Sequence, residues 1–112
     1  MPPKNCLMTS KKTAAQKRTK APRNSDRTKQ FDKDWERLSA SGRYDMHRLK
    51  QAMLLLIAND GPLPAECRDH ELTGEWADFR ECHIGGDFLL VYQLQGNAVV
   101  FTRAGTHAEL FR

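Results

Sequence analysis

The sequence predicts an α+β domain in which an N-terminal α-hairpin packs on a small, twisted antiparallel β-sheet closed by a short C-terminal helix. Three observations carry that expectation. Apolar residues recur with helical spacing between residues 31 and 57, the period becomes that of strands from residue 79, and Thr106 and Glu109 form a Thr-x-x-Glu signature. A chain of 112 residues has room for one such domain.

Phe31, Trp35 and Leu38 stand at i, i+4 and i+7, so residues from about 30 to 40 read as an amphipathic helix ended by Gly42. Asp45 is placed to cap a second helix whose apolar set is Met46, Leu49, Met53 and Leu56, widened by Ala52 and Ile57. Asn59-Asp60-Gly61-Pro62 stops it. Residues 79–84 then alternate, with Cys82 and Ile84 on one face and Phe79, Glu81 and His83 on the other. Gly85-Gly86-Asp87 turns the chain into residues 88–94, which are apolar on both faces and therefore suit a central strand. Gln95-Gly96-Asn97 turns it again into residues 98–103, giving a three-stranded meander with sequential neighbours paired. The Thr106–Glu109 capping box opens the last helix and sets His107 and Phe111 one turn apart on one face.

Charge is unevenly distributed. Residues 1–29 hold nine lysines and arginines against one acid, Asp26, a net of +8; residues 30–112 hold nine against thirteen, a net of −4. Residues 1–27 lack the apolar groups needed to offset ordering entropy and read as a basic, disordered tail, leaving 28–112 as the domain. That tail is open to several readings: a solvated extension, the product of an upstream start, an electrostatic arm for RNA or ribosomes, or a transit peptide lacking clear amphipathic period. The longest apolar run, residues 53–58, is far too short to span a membrane, so no membrane partner is expected. Three cysteines without a C-x-x-C pair fit a reducing, cytoplasmic setting, and a catalytic role for one of them is the minor reading.

The chemistry concentrates in the second half, where His70, His83, Asp87, Arg103 and His107 follow one another around the predicted hairpins. Histidines titrate near neutrality, and an arginine beside them suits a phosphate, so the set points to RNA cleavage by proton transfer. His70, His83, Asp87 and His107 are candidates for general base and acid, and Arg103 for the cation that holds the phosphorane. Each has a plainer reading: a surface imidazole, a turn-forming Asp87, an Arg103 paired with Glu81 or Glu109, a core Phe111. His47 lies on the second helix outside the group. Zinc is the chemical rival, but H-E-x-x-H and H-x-H spacings are absent, and neither metal nor cofactor is expected.

From Asp45 to Phe111 the motif order resembles the YafQ branch of the RelE/ParE superfamily of toxins. The matching pieces are Leu55-Leu56-Ile57-Ala58-Asn59, residues 62–65, Asp69-His70, Leu72-x-Gly74-x-Trp76, Arg80-x-x-His83, Asp87, Leu90-x-Tyr92-x-Leu94, and Arg103-x-Gly105-Thr106-His107-Ala108-x-Leu110-Phe111. The resemblance implies a RelE-like fold and a ribosome-dependent endoribonuclease that cuts mRNA and is held inactive by a cognate antitoxin. Operator DNA would be met only through the antitoxin complex. It implies that His70, His83, Asp87 and His107 form the acid–base network, Arg103 grips the scissile phosphate, Phe111 positions a nucleotide, and Arg80 contributes to substrate binding. The alternative is a toxin of the same fold without ribonuclease activity, or the partner of an antitoxin in a repressor complex. Two features depart from the family pattern: residues 27–30 are too polar for the apolar strand that precedes the first helix, and the domain is net acidic. The tail is therefore expected to supply much of the ribosome affinity.

Overall fold

The computed structural model describes residues 21–111; the basic stretch before them, and the readings attached to it, lie outside the described residues. The first described element settles whether a strand precedes the first helix: one is present, short and without apolar side chains. Asn24–Arg27 form a strand, β1, whose four residues are all exposed. It pairs in parallel with the strand Ala98–Thr106 (β5), Asn24 opposite Ala98 and Arg27 opposite Phe101. A strand stitched on by backbone hydrogen bonds at a sheet edge needs no apolar side chains, so no hydrophobic alternation announces it. The same finding moves the end of the tail upstream of residue 24. Arg23 already belongs to the domain: its N–H donates to the Ile57 carbonyl at 2.7 Å and its guanidinium to the Leu56 carbonyl at 2.6 Å.

Thr28 caps the helix Lys29–Ser41 (α1), its hydroxyl oxygen accepting from the Phe31 N–H, and Gly42 ends it in the left-handed region at φ 69°. Asp45 caps Met46–Ala58 (α2) by accepting from the Arg48 N–H, and Asn59 closes it at φ 54°. Leu56 and Ile57 carbonyls, free at the helix end, are the ones that Arg23 takes up. Then come the short strand His70–Glu71 (β2), Arg80–Gly85 (β3), Phe88–Gln95 (β4), β5 and the helix His107–Phe111 (α3). The sheet order is β1-β5-β4-β3-β2, with every pair except β1–β5 antiparallel. The expected meander is thus the middle of a five-stranded sheet, and β4 is its centre.

The two faces of β4 meet different surroundings. Phe88, Leu90 and Tyr92 join Phe31, Leu38, Leu49 and Leu56 in the main core between the sheet and the two long helices. Leu89 and Val91 point to the opposite face and pack with Leu72, Trp76, Phe79, Leu110 and Phe111. Each fully buried Leu or Phe is worth about 1.5–3 kcal/mol of transfer free energy, so the larger cluster carries most of the stability. The smaller one is roofed only by the irregular segment 72–79 and by α3, and this is the face that carries the chemistry.

Candidate active site

Strand alternation turns Glu81 and His83 of β3 to the face opposite Cys82 and Ile84. Glu81 is 3% exposed. Its Oε2 lies 3.4 Å from Nε2 of His70 and 3.4 Å from Nε2 of His83. His70 reaches it because β2 pairs with β3 in a register that sets His70 directly across from Glu81. The outer nitrogens are engaged differently. Nδ1 of His70 sits 2.6 Å from the Arg68 carbonyl, which can only accept, so that nitrogen bears a proton. Nδ1 of His83 meets the Arg68 guanidinium at 3.2 Å, which can only donate, so that nitrogen offers its lone pair. Burial, reinforced by the Arg68 charge, lowers the pKa of His83 below its usual value even though Glu81 pulls the other way.

The loop bearing His70 is braced from beneath. Arg80 donates to Asp69 at 3.0 Å and to the Tyr92 hydroxyl at 3.3 Å, and that hydroxyl donates to Asp69 in turn. Burial pushes the Tyr92 phenol up, and the Asp69 carboxylate adds to the effect, so the phenol keeps its proton. Arg80 is therefore a brace for residue 69, not a lining residue of the cavity.

Opposite these groups stands α3. The capping box forms as its spacing predicts, the Thr106 N–H donating to Glu109 Oε1 at 2.8 Å and the Glu109 N–H to the Thr106 hydroxyl at 3.3 Å. His107 and Phe111 stack one turn apart with ring centroids 5.3 Å apart, and Phe111 meets Trp76 edge-on at 5.4 Å. Asp87, exposed after the β3–β4 turn, accepts from the His107 N–H at 3.4 Å and lies 3.7 Å from its Nδ1. An open cavity of about 330 Å³ results, lined by His70, Leu72, Thr73, Trp76, Glu81, His107 and Phe111. That volume is at the lower end of the range for small-ligand pockets.

Arg103 is turned elsewhere. A bulge in β5 places Tyr92 opposite Phe101 but Val91 opposite Arg103, leaving Thr102 as the extra residue. The Arg103 guanidinium then binds Asp34 of α1 through Nε at 2.9 Å and Nη2 at 3.3 Å. Asp34, 1% exposed, also accepts from the Ala104 N–H at 3.1 Å, from Gln30 and from Arg37. Burial raises its pKa, but the Arg103 and Gln30 side chains and the Ala104 N–H outweigh that and hold the carboxyl below its ordinary range. Arg103 is in the row Glu81–Val91–Arg103, two strands and so about 10 Å from Glu81. The expected set thus divides: His70, His107 and Phe111 line one cavity, His83 joins it through Glu81 and Asp87 through His107, while Arg103 and Arg80 are held in ion pairs beside it.

Reading the sequence missed four residues. Asp34 interrupts the apolar stripe of Phe31, Trp35 and Leu38, a carboxylate where burial demands a partner. Glu81 shares a strand face with His83 two residues away, which in hindsight is the signal for a paired base. Trp76 was seen only as part of a motif, and nothing in the sequence marks Arg68.

A family described as the bacterial toxin of type II toxin–antitoxin systems, YafQ, matches residues 23–112. The chain belongs to the YafQ toxin family. The mRNA interferase toxin YafQ of Escherichia coli (strain K12) is 44% identical to it over 82 residues, 73% of this chain and 88% of that protein. A crystal structure of YafQ from E. coli strain BL21(DE3) superposes with a TM-score of 0.75 at 40% identity, covering 80% of this chain and 99% of that one. The YafQ chain of the E. coli DinJ–YafQ toxin–antitoxin complex superposes with a TM-score of 0.73 at 41% identity, over 81% and 99%. The fold is therefore that of the YafQ toxins. The match begins at Arg23, the first residue that the structure ties to α2. Among the described residues no helix is long and apolar enough to cross a membrane.

Proposed function

We propose that this family member is a ribosome-dependent endoribonuclease that cleaves mRNA by metal-independent general acid–base chemistry. The observation that carries the reading is the cavity in which a buried carboxylate is shared by two imidazoles while a third imidazole faces it beside two aromatic rings. The reaction this suits is internal transesterification. The 2′-oxygen bonds to phosphorus as the P–O5′ bond breaks; a base takes the 2′-hydroxyl proton, and an acid protonates the departing 5′-oxygen. A 2′,3′-cyclic phosphate and a 5′-hydroxyl remain, and protons balance with side chains alone.

His70, His83 and His107 supply base and acid, with Glu81 aligning the first two and Asp87 the third. Such transfers contribute about 10²–10⁴-fold each. Trp76 and Phe111 offer ring faces to a base splayed out of the strand, the usual way proteins hold single-stranded RNA. A domain of net −4 attracts RNA weakly, which favours a reaction confined to mRNA already seated in the ribosome. The antitoxin partner follows from the relative crystallised with DinJ, and operator DNA would be reached only through that complex.

Primer extension on a translated mRNA tests the proposal, comparing wild type, His107→Ala and naked RNA. Cuts confined to translating ribosomes and lost in His107→Ala are expected. A His107→Ala protein that still cuts, or still arrests growth, would refute it.

A further inference from the structure

We infer that Arg68 is the catalytic cation that grips the scissile phosphate, an assignment that rests on the nuclease reading above. A phosphorane needs a guanidinium or its equivalent, and both Arg103, expected to provide it, and Arg80, expected to help bind substrate, are engaged. Arg103 is bidentate on buried Asp34, and Arg80 is held by Asp69 and Tyr92. Arg37, the other arginine near α3, binds Glu109 at 2.7 Å. Among the described residues, Arg68 is the cation in direct contact with a site imidazole, Nη2 to Nδ1 of His83 at 3.2 Å, on an exposed side chain.

Its backbone supports the same assignment. Arg68 closes the 3₁₀ turn Ala65–Cys67 in the left-handed region, φ 47° and ψ 47°, where glycine or asparagine would be less strained. Non-glycine residues held in such conformations cluster at functional sites. The conformation also aims the Arg68 carbonyl at Nδ1 of His70 while its side chain reaches His83, so one residue touches both imidazoles that share Glu81. An arriving phosphodiester offers the guanidinium two anionic oxygens in place of one neutral ring nitrogen. Its transfer to the phosphate releases the His83 lone pair to accept the 2′-hydroxyl proton.

Arg68→Gly tests this directly because glycine suits the backbone. We expect its thermal midpoint to be no lower than wild type, and its single-turnover cleavage on saturating mRNA-programmed ribosomes to fall about 10²–10³-fold. Arg68→Lys keeps the charge without the planar fork and should fall between the two. Wild-type single-turnover rates in both variants would overturn the assignment, as would a loss confined to ribosome binding with the saturated rate intact. A wild-type protein that leaves ribosome-bound mRNA whole would remove the nuclease reading itself, and this assignment with it.

Discussion

Asp34 and Glu81 are the two buried charged residues among those described, and they sit in opposite circumstances. Asp34 is saturated by a bidentate arginine, a backbone N–H, an amide and a second arginine. Glu81 has two imidazoles at 3.4 Å and no fixed cation, on the face of the sheet left open by the long helices. A carboxylate surrounded by permanent donors has one protonation state and serves as a rivet. One shared between imidazoles, side chains that can both take and give a proton, can serve in proton transfer. The same contrast runs between the two sheet faces: the one under the long helices holds the larger core, and the other, with a smaller apolar cluster, carries the imidazoles.

The largest expected effect is on the rivet. Asp34→Ala strands the Arg103 guanidinium and the Ala104 N–H, and breaking a pair of this kind typically costs about 3–5 kcal/mol. Urea unfolding should report that loss. A variant as stable as wild type would erase the distinction between the two carboxylates.

Acid should act on the same group. The folded pKa of Asp34 is depressed below its ordinary 3.8, so its stabilisation is complete above that value and is lost as pH falls towards the lower folded value. In Asp34→Asn this contribution to acid unfolding should disappear. An unchanged pH dependence between pH 5 and 2 would show that other groups control it.

A smaller effect is expected at the brace. Tyr92→Phe leaves Asp69 with Arg80 alone and should cost about 1 kcal/mol in urea unfolding, the usual net worth of one hydrogen bond. It should also slow cleavage modestly by loosening His70. A loss of cleavage as complete as in His107→Ala would show Tyr92 to be part of the chemistry.

The smallest effect concerns the stretch before residue 21. Deleting residues 1–20 removes basic groups remote in sequence from the site, so it should weaken ribosome association with rising salt and leave the saturated cleavage rate unchanged. Association that is identical across salt concentrations would dispose of the electrostatic arm.

The ends of the helices were legible because single residues encode them: Gly42, Asp45, Asn59 and the Thr106–Glu109 box act through local backbone chemistry. The centrality of β4 was legible from its two apolar faces. What escaped was set by non-local pairing. Polar β1 depends on hydrogen bonds to a strand more than seventy residues away. The engagement of Arg103 was hidden because its partner, Asp34, stands on α1 and is brought to it only by the packing of that helix on the sheet. The histidines were found because their residue type is rare and titratable. Glu81 was passed over because a glutamate on a strand is ordinary until the register puts an imidazole across from it.

The most direct measurement is single-turnover cleavage of ribosome-bound mRNA by Glu81→Gln, read together with its unfolding curve. The shared-carboxylate centre requires an unfolding midpoint close to wild type and a cleavage rate lower by about 10²-fold or more. A Glu81→Gln protein that cuts at the wild-type rate would show that the imidazoles need no shared carboxylate, and the account of this site would be wrong.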